Sequence, residues 1–379
     1  MAGRVVLFGA TGFTGELAAR ALVARGVRPL LAGRSPDRLR ALAAALGDLE
    51  TAVVDATASD AATALAALAG RGDVLVCTVG PFMRWGEPGL LAAIASGAHY
   101  VDSTGEPPFI RSVFERHGAS AERARCGLLT AFGYDYVPGN LAGALALREA
   151  GARAVRVDVG LYVDGGRAAQ PSGGTRASAA GMLAEDGYAF RGGRLVTERA
   201  ALRVRELDGR PAISIGGSEH FALPRVHPAL RDVGVWLGWF GAASRPLQAL
   251  SAATAVVTRL PGARTAIGAA AQRLVRGSTG GPDAATRERA RSRIVAVASD
   301  AGGRPLATVR LSGANPYDFT GEMLAWGAAR AAEHGLRGSG ALGPVDAFGL
   351  DLLEAGVAEA GIAPYASRRP ASRATRRAR

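Results

Sequence analysis

Over the first 150 residues, short β-branched runs alternate with alanine-rich stretches that have one apolar face. This alternation is typical of a parallel sheet covered by helices on both faces, because each buried strand then reads as a continuous apolar run. Six strands separated by helices predict a complete doubly wound α/β sheet. The predicted strands are residues 4–8, 28–32, 51–54, 73–78, 99–102 and 127–131.

The pattern changes at residue 155, where longer segments alternate between apolar and polar positions. Two of them, 291–299 and 305–313, flank the turn sequence DAGGR and predict a β-hairpin. The middle of the chain is therefore expected to form an α+β domain on a mainly antiparallel sheet, with helical stretches at 173–185 and 240–276. A helical pattern returns after Tyr317 and is expected to pack back on the first sheet. The predicted domains are a first domain at 1–137 and 315–366, an inserted substrate domain at 138–314, and a disordered basic tail at 367–379.

Composition narrows the possible chemistry. The chain has 379 residues and a formal charge of +12, and all 45 of its basic residues are arginine. The lack of lysine excludes a Schiff-base lysine and the Tyr-x-x-x-Lys pair of short-chain dehydrogenases. Six arginines lie in the last 14 residues and no aromatic follows Tyr365, so the excess charge favours a solvated tail over a nucleic-acid surface.

Cysteine, histidine and hydropathy patterns limit the sites and the location. Cys77 and Cys126 lie in or beside apolar runs and are expected to be buried free thiols. The five histidines have no metal-ligand spacing, so no metal site is predicted. The start of the chain does not resemble a signal peptide, and no uncharged apolar run reaches the roughly 18 residues of a membrane span. We therefore expect a cytoplasmic protein with no transmembrane segment.

The sequence GATGFTG follows the first predicted strand and opens a helix. In that context glycines let the backbone turn sharply and approach a pyrophosphate, while free N–H groups at the helix start face the negative charge. A tight strand-to-helix turn without a ligand is the structural alternative. The motif predicts a Rossmann dinucleotide site with contacts from Gly9, Thr11, Gly12, Phe13, Thr14 and Gly15.

The end of the second predicted strand indicates which dinucleotide is bound. An NAD enzyme places Asp or Glu there for the ribose 2′-hydroxyl, whereas this chain has Arg34 followed by Ser35. A guanidinium can pair with the 2′-phosphate of NADPH. A solvated arginine that caps the next helix fits the same position, and Arg38 can share either role.

Two more strand ends complete the predicted cofactor site. Asp55 closes the third strand and either holds the adenine amino group or caps a helix. The fourth strand ends in CTVGPF, at the edge where such sheets bind their ligands. The residues expected beneath the nicotinamide ribose are Thr78, Val79, Gly80 and Pro81.

Seven blocks of sequence, in order, carry a resemblance over nearly the whole chain. They are GATGFTG, AGRS with RL three residues on, CTVGPF with GEP after it, YVDSTGE, GYDYVPGNLA, SGGTRAS and NPYDFTGEMLAWGA. Together they resemble the saccharopine dehydrogenase-like family, and within it most of all the trans-acting enoyl reductases.

The resemblance implies a Rossmann domain that binds NADP, an inserted α+β domain, and reduction of an enoyl thioester held by a separate carrier protein or polyketide synthase. The matching cofactor positions are Gly9, Gly12, Gly15, Arg34 and the turn at 78–81. The family motif G-F-D-S-V-P reads GYDYVP here, with Tyr134 and Tyr136 in its two variable places. The lack of lysine disfavours the amino-acid chemistry of the saccharopine enzymes themselves.

Enoyl reduction needs a hydride at the β-carbon, stabilisation of an enolate oxygen and a proton for the α-carbon. Hydroxyl groups near the predicted crevice are therefore candidates. Each also fits a structural role, because buried tyrosines often satisfy backbone carbonyls and Ser or Thr often caps a helix. Asp135 is interpreted as a helix N-cap rather than a base. The catalytic candidates are Tyr134, Tyr136 and Tyr317, with Thr175 and Ser178 as further hydroxyls.

Three classes of function stay open at this point: an enoyl reductase, a C=N or C=O reductase, and a non-enzymatic NADP-binding regulator. The expected partners are an acyl thioester or lipid-like substrate, an acyl carrier protein or polyketide synthase, and a second copy of the chain, with no nucleic acid. The apolar segment 233–271, with Trp236 and Trp239, indicates either a wall for a long acyl chain or ordinary core helices.

Overall fold

The computed structural model describes residues 2–165, 186–257 and 280–365. Its first sheet is parallel throughout and has the order β15-β6-β5-β4-β1-β2-β3. The predicted doubly wound architecture is confirmed, and a seventh strand, β15, adds to the six predicted. The strands are β1 Val5–Phe8, β2 Leu30–Gly33, β3 Thr51–Val53, β4 Val74–Cys77, β5 His99–Asp102, β6 Gly127–Leu129 and β15 Gly340–Ala341.

Both faces of this sheet are apolar. In β1, Val5 and Leu7 join one core cluster while Val6 and Phe8 join another, as the two-residue period of a strand requires. Burial on both faces explains the continuous apolar runs in the sequence. The helices around this sheet are α1 Phe13–Ala24, α2 Pro36–Ala45, α3 Ala61–Ala66, α4 Phe82–Trp85, α5 Glu87–Ser96, α6 Pro107–Ser112, α7 Gly118–Ala124 and α12 Pro316–His334.

The second sheet is mixed and mainly antiparallel, with the order β10-β11-β12-β7-β13-β14-β16 and with β8 pairing β12 and β9. Only β12 and β7 pair in parallel within the described part of this sheet. The predicted hairpin is confirmed as β13 and β14. The strands are β7 Arg156–Asp164, β8 Tyr188–Arg191, β9 Arg194–Thr197, β10 Val204–Leu207, β11 Arg210–Ser214, β12 Asp232–Leu237, β13 Arg291–Ser299, β14 Pro305–Gly313 and β16 Ile362–Pro364.

Helix α8 packs on one face of the second sheet, where Gly139 and Gly143 both approach Val159 of β7. The same face continues into the larger core cluster, which joins the two sheets. None of the helices in the described ranges is long and apolar enough to span a bilayer. The remaining helices are α8 Val137–Ala150, α9 Glu219–Val226, α10 Ser244–Val257, α11 Ala284–Arg289, α13 Pro344–Phe348 and α14 Leu350–Glu359.

The chain returns to the first sheet after the second. Helix α12 lies against α1, where a Cβ on Gly321 would be 2.9 Å from the Cβ of Leu17. Strand β15 then pairs with β6, but β16 pairs with β14 and so belongs to the second sheet, inside the range 315–366 predicted for the first domain. The segment 232–237 is a strand, which corrects its interpretation as a core helix. Thr175, Ser178 and the ranges 173–185, 258–276 and 367–379 lie outside the described residues.

Candidate active site

The loop from Gly9 to Gly15, called the glycine loop below, joins β1 to α1 at the carboxyl ends of the parallel strands. Gly9 has φ +91°, a left-handed conformation, and a Cβ on Gly15 would lie only 2.1 Å from the Gly9 carbonyl oxygen. These two glycines are required by the loop's own packing. Gly12 differs, because among the described residues a Cβ there would meet only the Gly9 oxygen, at 3.2 Å, and would otherwise project into open space.

Gly12 is the N-cap of α1, and the open space beside it lies directly before the first turn of that helix. The first N–H groups of a helix have no partner within the helix, and they carry the positive end of its dipole. Thr11, Phe13 and Thr14 complete this loop and are partly buried. The arrangement is suited to an anionic group, such as a pyrophosphate, in front of Gly12.

The end of β4 is fixed against the glycine loop. The hydroxyl of Thr78 lies 3.2 Å from the carbonyl oxygen of Phe8 and 3.1 Å from that of Gly9, within donating distance of both. Val79 packs on Gly9, since a Cβ added there would be 2.8 Å from its Cγ2. Gly80 and Pro81 follow and lead into α4, so the structure brings the predicted turn at 78–81 beside the glycine loop.

The adenosine end of the predicted site lies after β2 and β3. Arg34 is exposed, and within the described part of the chain its guanidinium has no hydrogen bond or ion pair. Ser35 is the N-cap of α2 but makes no side-chain capping bond. Arg38 donates to the carbonyl oxygen of Thr11 and so ties α2 to the glycine loop. Arg34 therefore presents its charge to solvent at the position predicted for a 2′-phosphate.

Asp55 has a local structural role. Its Oδ1 accepts from the backbone N–H and from the hydroxyl of Thr57, both at 2.9 Å. These hydrogen bonds, with a smaller contribution from the charge of Arg34, lower the pKa of Asp55. Asp55 does not cap α3, whose N-cap is Asp60, and it instead closes the turn before that helix. A contact between Asp55 and the adenine stays a prediction.

The three candidate tyrosines lie in three different environments. Tyr134 is buried and donates from its hydroxyl to the Tyr162 carbonyl oxygen at 2.8 Å. The buried hydroxyl of Tyr136 lies 3.3 and 3.2 Å from the carbonyl oxygens of Gly105 and Gly216. Burial raises the pKa of both phenols, and these contacts tie the end of β6 to the second sheet.

Tyr317 is partly buried and lies against the glycine loop. Its ring meets Phe13 edge to face with 5.2 Å between the centroids, and the Arg287 guanidinium lies 5.7 Å from the same Phe13 ring. Arg287 also pairs with Asp318 at 2.7 Å. Asn315 caps α12 by accepting from the N–H groups of Tyr317 and Asp318, each at 3.0 Å. Residues that precede and begin α12 therefore cover one side of the glycine loop.

Buried carboxylates hold the ends of β5 and β6. Asp102 accepts from the N–H groups of Thr104 and Ala131 at 2.9 and 2.8 Å, while burial raises its pKa to about 6. Glu106 accepts from the N–H groups of Phe82 and Met83 at 2.7 and 3.0 Å. Because Phe82 directly follows the 78–81 turn, Glu106 fixes that turn to the end of β5.

Asp135 lies at this edge between the two motif tyrosines and is partly exposed. Its Oδ2 is 2.7 Å from where a Cβ on Gly105 would be, and burial raises its pKa to about 6. The N-cap of α8 is Tyr136, without a side-chain capping bond, so the interpretation of Asp135 as a helix cap is wrong. A carboxyl of this kind can hold a proton close to neutral pH.

Glu219 begins α9 and is completely buried. Neither of its carboxylate oxygens has a hydrogen-bond partner in the described structure. Burial, with repulsion from Asp135 as a smaller cause, raises the pKa of Glu219 well above its usual value. Sequence reasoning missed this residue, because only one of the glycines that make room for its carboxylate, Gly217, is close in sequence, while the other, Gly139, lies in α8.

The glycine loop, Arg34 and the 78–81 turn all fall in one matched region of sequence. Residues 5–127 match the family model described as the saccharopine dehydrogenase NADP binding domain. This stretch is therefore similar to that NADP-binding domain. The predicted family resemblance is confirmed for this part of the chain, and so is NADP(H) as the cofactor.

Relatives extend the comparison. Over 141 residues the chain is 41% identical to a putative trans-acting enoyl reductase of Mycobacterium tuberculosis and to a trans-acting enoyl reductase of Mycobacterium leprae. Each match covers 36% of this chain and 33% or 34% of the relative, so the chain spans about a third of the length of these relatives. A saccharopine dehydrogenase (L-Glu forming) from Saccharomyces cerevisiae is 14% identical with a TM-score of 0.56, over 96% of this chain and 100% of that one. That likeness shows a shared fold.

The residues described above leave space for the cofactor and supply hydrogen-bond donors to it. Gly12 leaves the volume that a side chain would fill, and the exposed guanidinium of Arg34 follows β2 on the same edge of the sheet. The atoms of NADPH that each predicted residue contacts stay a prediction. Within residues 2–165, 186–257 and 280–365, no three His, Cys, Asp or Glu side chains are grouped to hold a metal ion.

The two tryptophans expected to line an acyl wall are separated. Trp236 is buried in β12 and donates from its indole N–H to Asp158 at 2.9 Å, in a polar environment. Trp239 stacks on Tyr134 with 6.4 Å between the ring centroids, and its indole nitrogen is buried without a hydrogen-bond partner among the described residues. Of the two, only Trp239 adjoins the candidate catalytic motif.

Proposed function

We propose that this chain is an NADPH-dependent reductase of the C=C bond in an enoyl thioester, of the carrier-bound or lipid-like polyketide or acyl kind. The observation that carries the proposal is the 41% identity over 141 residues to proteins named trans-acting enoyl reductases. The absence of lysine supports it, because imine chemistry on amino acids commonly uses an ionisable amine. The same proposal places the reaction in the cytoplasm.

The chain's own residues would hold and orient the reactants. When bound, NADPH supplies a hydride. The glycine loop and the first N–H groups of α1 would bind the pyrophosphate, and Arg34 the 2′-phosphate. The 78–81 turn, fixed by Thr78 and Glu106, would place the nicotinamide beside the ends of β4 and β5.

Asp135 is our candidate for the proton donor. It is partly exposed beside Gly105, and a pKa of about 6 leaves a useful fraction protonated near neutrality. As hydride adds to the β-carbon, the electron pair of the C=C bond moves toward the thioester carbonyl as an enolate. The α-carbon then takes the Asp135 proton, and water reprotonates the carboxylate. Tyr134 and Tyr136, with hydroxyls at backbone carbonyls, would position this loop, and Tyr317 stays a catalytic prediction.

The test is NADPH consumption with trans-2-enoyl thioesters of N-acetylcysteamine, followed by isotope analysis of the product. NADPH that carries deuterium at C4 should place it on the β-carbon, and D₂O should place one deuterium on the α-carbon. A saturated product with this labelling is the expected result.

Other outcomes would identify another function. Turnover only of carbonyl or imine substrates, with deuterium from NADPH on the former C=O or C=N carbon, would replace the proposal by the alternative reductase class. NADPH binding without oxidation by any of these substrates would favour a non-enzymatic NADP-binding regulator.

We further propose that the substrate arrives on an acidic acyl carrier protein or polyketide synthase and that the chain acts as a homodimer. Six arginines in the last 14 residues would raise the encounter rate with an acidic carrier in a salt-dependent way. Deleting residues 367–379 should lower turnover of a carrier-bound thioester at low salt and leave a free thioester unaffected. Equal losses for both would contradict carrier docking, and light scattering would test the dimer.

A further inference from the structure

The second sheet has one apolar and one polar face in the region of β7. Val157, Val159 and Leu161 point into the large core toward α8. Because side chains alternate along a strand, Arg156 and Asp158 lie on the opposite face. The buried carboxylate of Asp158 on that face needs an explanation, since an isolated buried charge is costly.

A cavity of about 350 Å³ opens on this polar face. It does not involve the glycine loop or the 78–81 turn, so it is separate from the dinucleotide site. No carboxylate is among the described residues that line it. The side chains that matter here are Arg156, Arg191, Arg203 and Arg205, with Trp236 and Gln248. We call this cavity the arginine pocket.

Asp158 pairs with two of the arginines on the buried side of the pocket. It is completely buried and accepts from Arg156 at 2.7 and 3.1 Å, while Arg205 lies at 3.2 Å. Its other donor is the indole N–H of Trp236 at 2.9 Å. Paired hydrogen bonds from a guanidinium to one carboxylate hold that guanidinium in a fixed direction. Arg156 and Arg205 are therefore oriented while parts of both remain exposed.

Glu198 holds the other two arginines in the same way. Both of its carboxylate oxygens accept from Arg191, at 3.1 and 3.2 Å, and Arg203 pairs with it at 3.1 Å. The Glu198 side chain is 8% exposed, whereas that of Arg203 is 51% exposed. The carboxylate is thus behind the guanidinium groups, and the arginines face outward.

Gly234 makes room for this arrangement. A Cβ at that position would be 2.3 Å from Oδ1 of Asp158 and 2.6 Å from Nε1 of Trp236. Either atom would have to move, so a side chain at residue 234 is incompatible with the hydrogen bond between them. Because residue 234 of β12 has no side chain, the Asp158 carboxylate can occupy the position from which it orients Arg156 and Arg205.

Positive charge exceeds negative charge around the arginine pocket. Asp158 and Glu198 offset two of the four guanidinium charges, and Asp232 acts on Arg156 from a neighbouring strand. Among the described residues at least one positive charge is left unbalanced, and all four arginines line the same pocket. Like charges at short range repel, and a bound anion would relieve that repulsion.

We propose that the arginine pocket binds a phosphate group carried by a small molecule. Planar guanidinium forks match the oxygens of phosphate and can bind it with two hydrogen bonds each. The volume exceeds what one phosphate needs, and Trp236 adds an apolar surface for an attached group. This inference does not depend on the reduction proposed above.

The test is calorimetric titration of the full chain, kept in saturating NADPH, with inorganic phosphate, 4′-phosphopantetheine or coenzyme A as the probe. One phosphate-type ligand should bind per chain. The double substitution R203Q/R205Q should weaken binding about 100-fold or more, because each of the two charge-assisted contacts contributes about tenfold or more. Tighter binding of 4′-phosphopantetheine than of phosphate would identify an acyl-carrier arm or related thioester as the source, and equal binding would identify free phosphate.

The variants are chosen so that the fold survives. After R203Q/R205Q, Glu198 keeps Arg191, and Asp158 keeps Arg156 and Trp236. Arg304→Gln, at the exposed β13–β14 turn of the same sheet, removes one surface charge outside the pocket and serves as the control. Melting curves for both proteins would show that each is folded. Absence of saturable binding for all three probes, or equal affinities of R203Q/R205Q and R304Q, overturns the proposal.

Discussion

Two glycines in the same loop should respond to substitution in opposite ways. Gly12→Val is expected to leave a folded protein that no longer binds NADPH or NADH. Gly12 has φ −78° and ψ 166°, which any residue adopts, and its only close neighbour would be the Gly9 oxygen at 3.2 Å. Gly15→Ala should instead damage the fold, since its Cβ would be 2.1 Å from that same oxygen.

The magnitudes separate the two effects. Loss of glycine at an exposed N-cap costs about 0.5–1 kcal/mol of stability. At residue 12 the valine side chain would exclude the pyrophosphate, and losing two charge-assisted hydrogen bonds at about 1.5–3 kcal/mol each weakens binding more than about 100-fold. At residue 15 the overlap requires the loop to move, at a cost of about 1–3 kcal/mol.

The assay combines calorimetric titration of NADPH with denaturant unfolding of the three proteins. We expect the Gly12→Val protein to unfold near the parent midpoint without binding, and the Gly15→Ala protein to unfold at lower denaturant. Parent-like NADPH affinity in the Gly12→Val protein would refute the pyrophosphate assignment. A parent-like unfolding midpoint for Gly15→Ala would refute the argument from close packing.

Four further predictions follow from other contacts. Arg34→Ala should weaken NADPH far more than NADH in a binding titration, and equal losses would contradict the 2′-phosphate assignment. Enoyl reduction should decline as pH rises through about 6, where Asp135 loses its proton, and Asp135→Asn should be slow without that decline in its pH profile. Glu219→Gln should raise the melting temperature, because an acid with a raised pKa stabilises the fold at low pH and loses that contribution as pH rises; the gain should therefore be larger at pH 9 than at pH 5. Catalytic efficiency should increase with acyl chain length, and Trp239→Ala should flatten that increase without changing NADPH affinity.

The parts of the fold that could be predicted from the sequence are those that depend on residues close together in the chain. Strands β1, β2, β4, β5 and β6 are buried on both faces, so each leaves an apolar run that can be recognised without knowing its neighbours, whereas β3 is a largely exposed edge strand. Strand β15 has two residues, Gly340 and Ala341, and exists only through pairing with β6. For the segment that contains β12, core helices were one of two alternatives. The sequence VGVWL suits a helix or a strand, and its parallel partner β7 decides the outcome.

In the candidate site, too, only the residues that depend on local sequence could be predicted. The glycine loop and Arg34 could be placed from sequence, because both depend on a strand end and the helix that follows. Asp135 was misinterpreted because its environment comes from Gly105, a residue 30 positions earlier in the chain. Glu219 gained its unpaired burial from contacts with Gly139 and Gly217, and no local pattern states that an acid will be left without a partner.

Strand β15 also determines when the first domain can be completed during synthesis. More than two hundred residues separate β6 from β15, and the whole described second sheet except β16 lies between them. Until β15 arrives, β6 is an edge strand with unpaired N–H and carbonyl groups, which is a template for association with other chains. A fragment that ends at residue 165 should therefore self-associate, and the nascent chain should depend on chaperones until its last strands leave the ribosome.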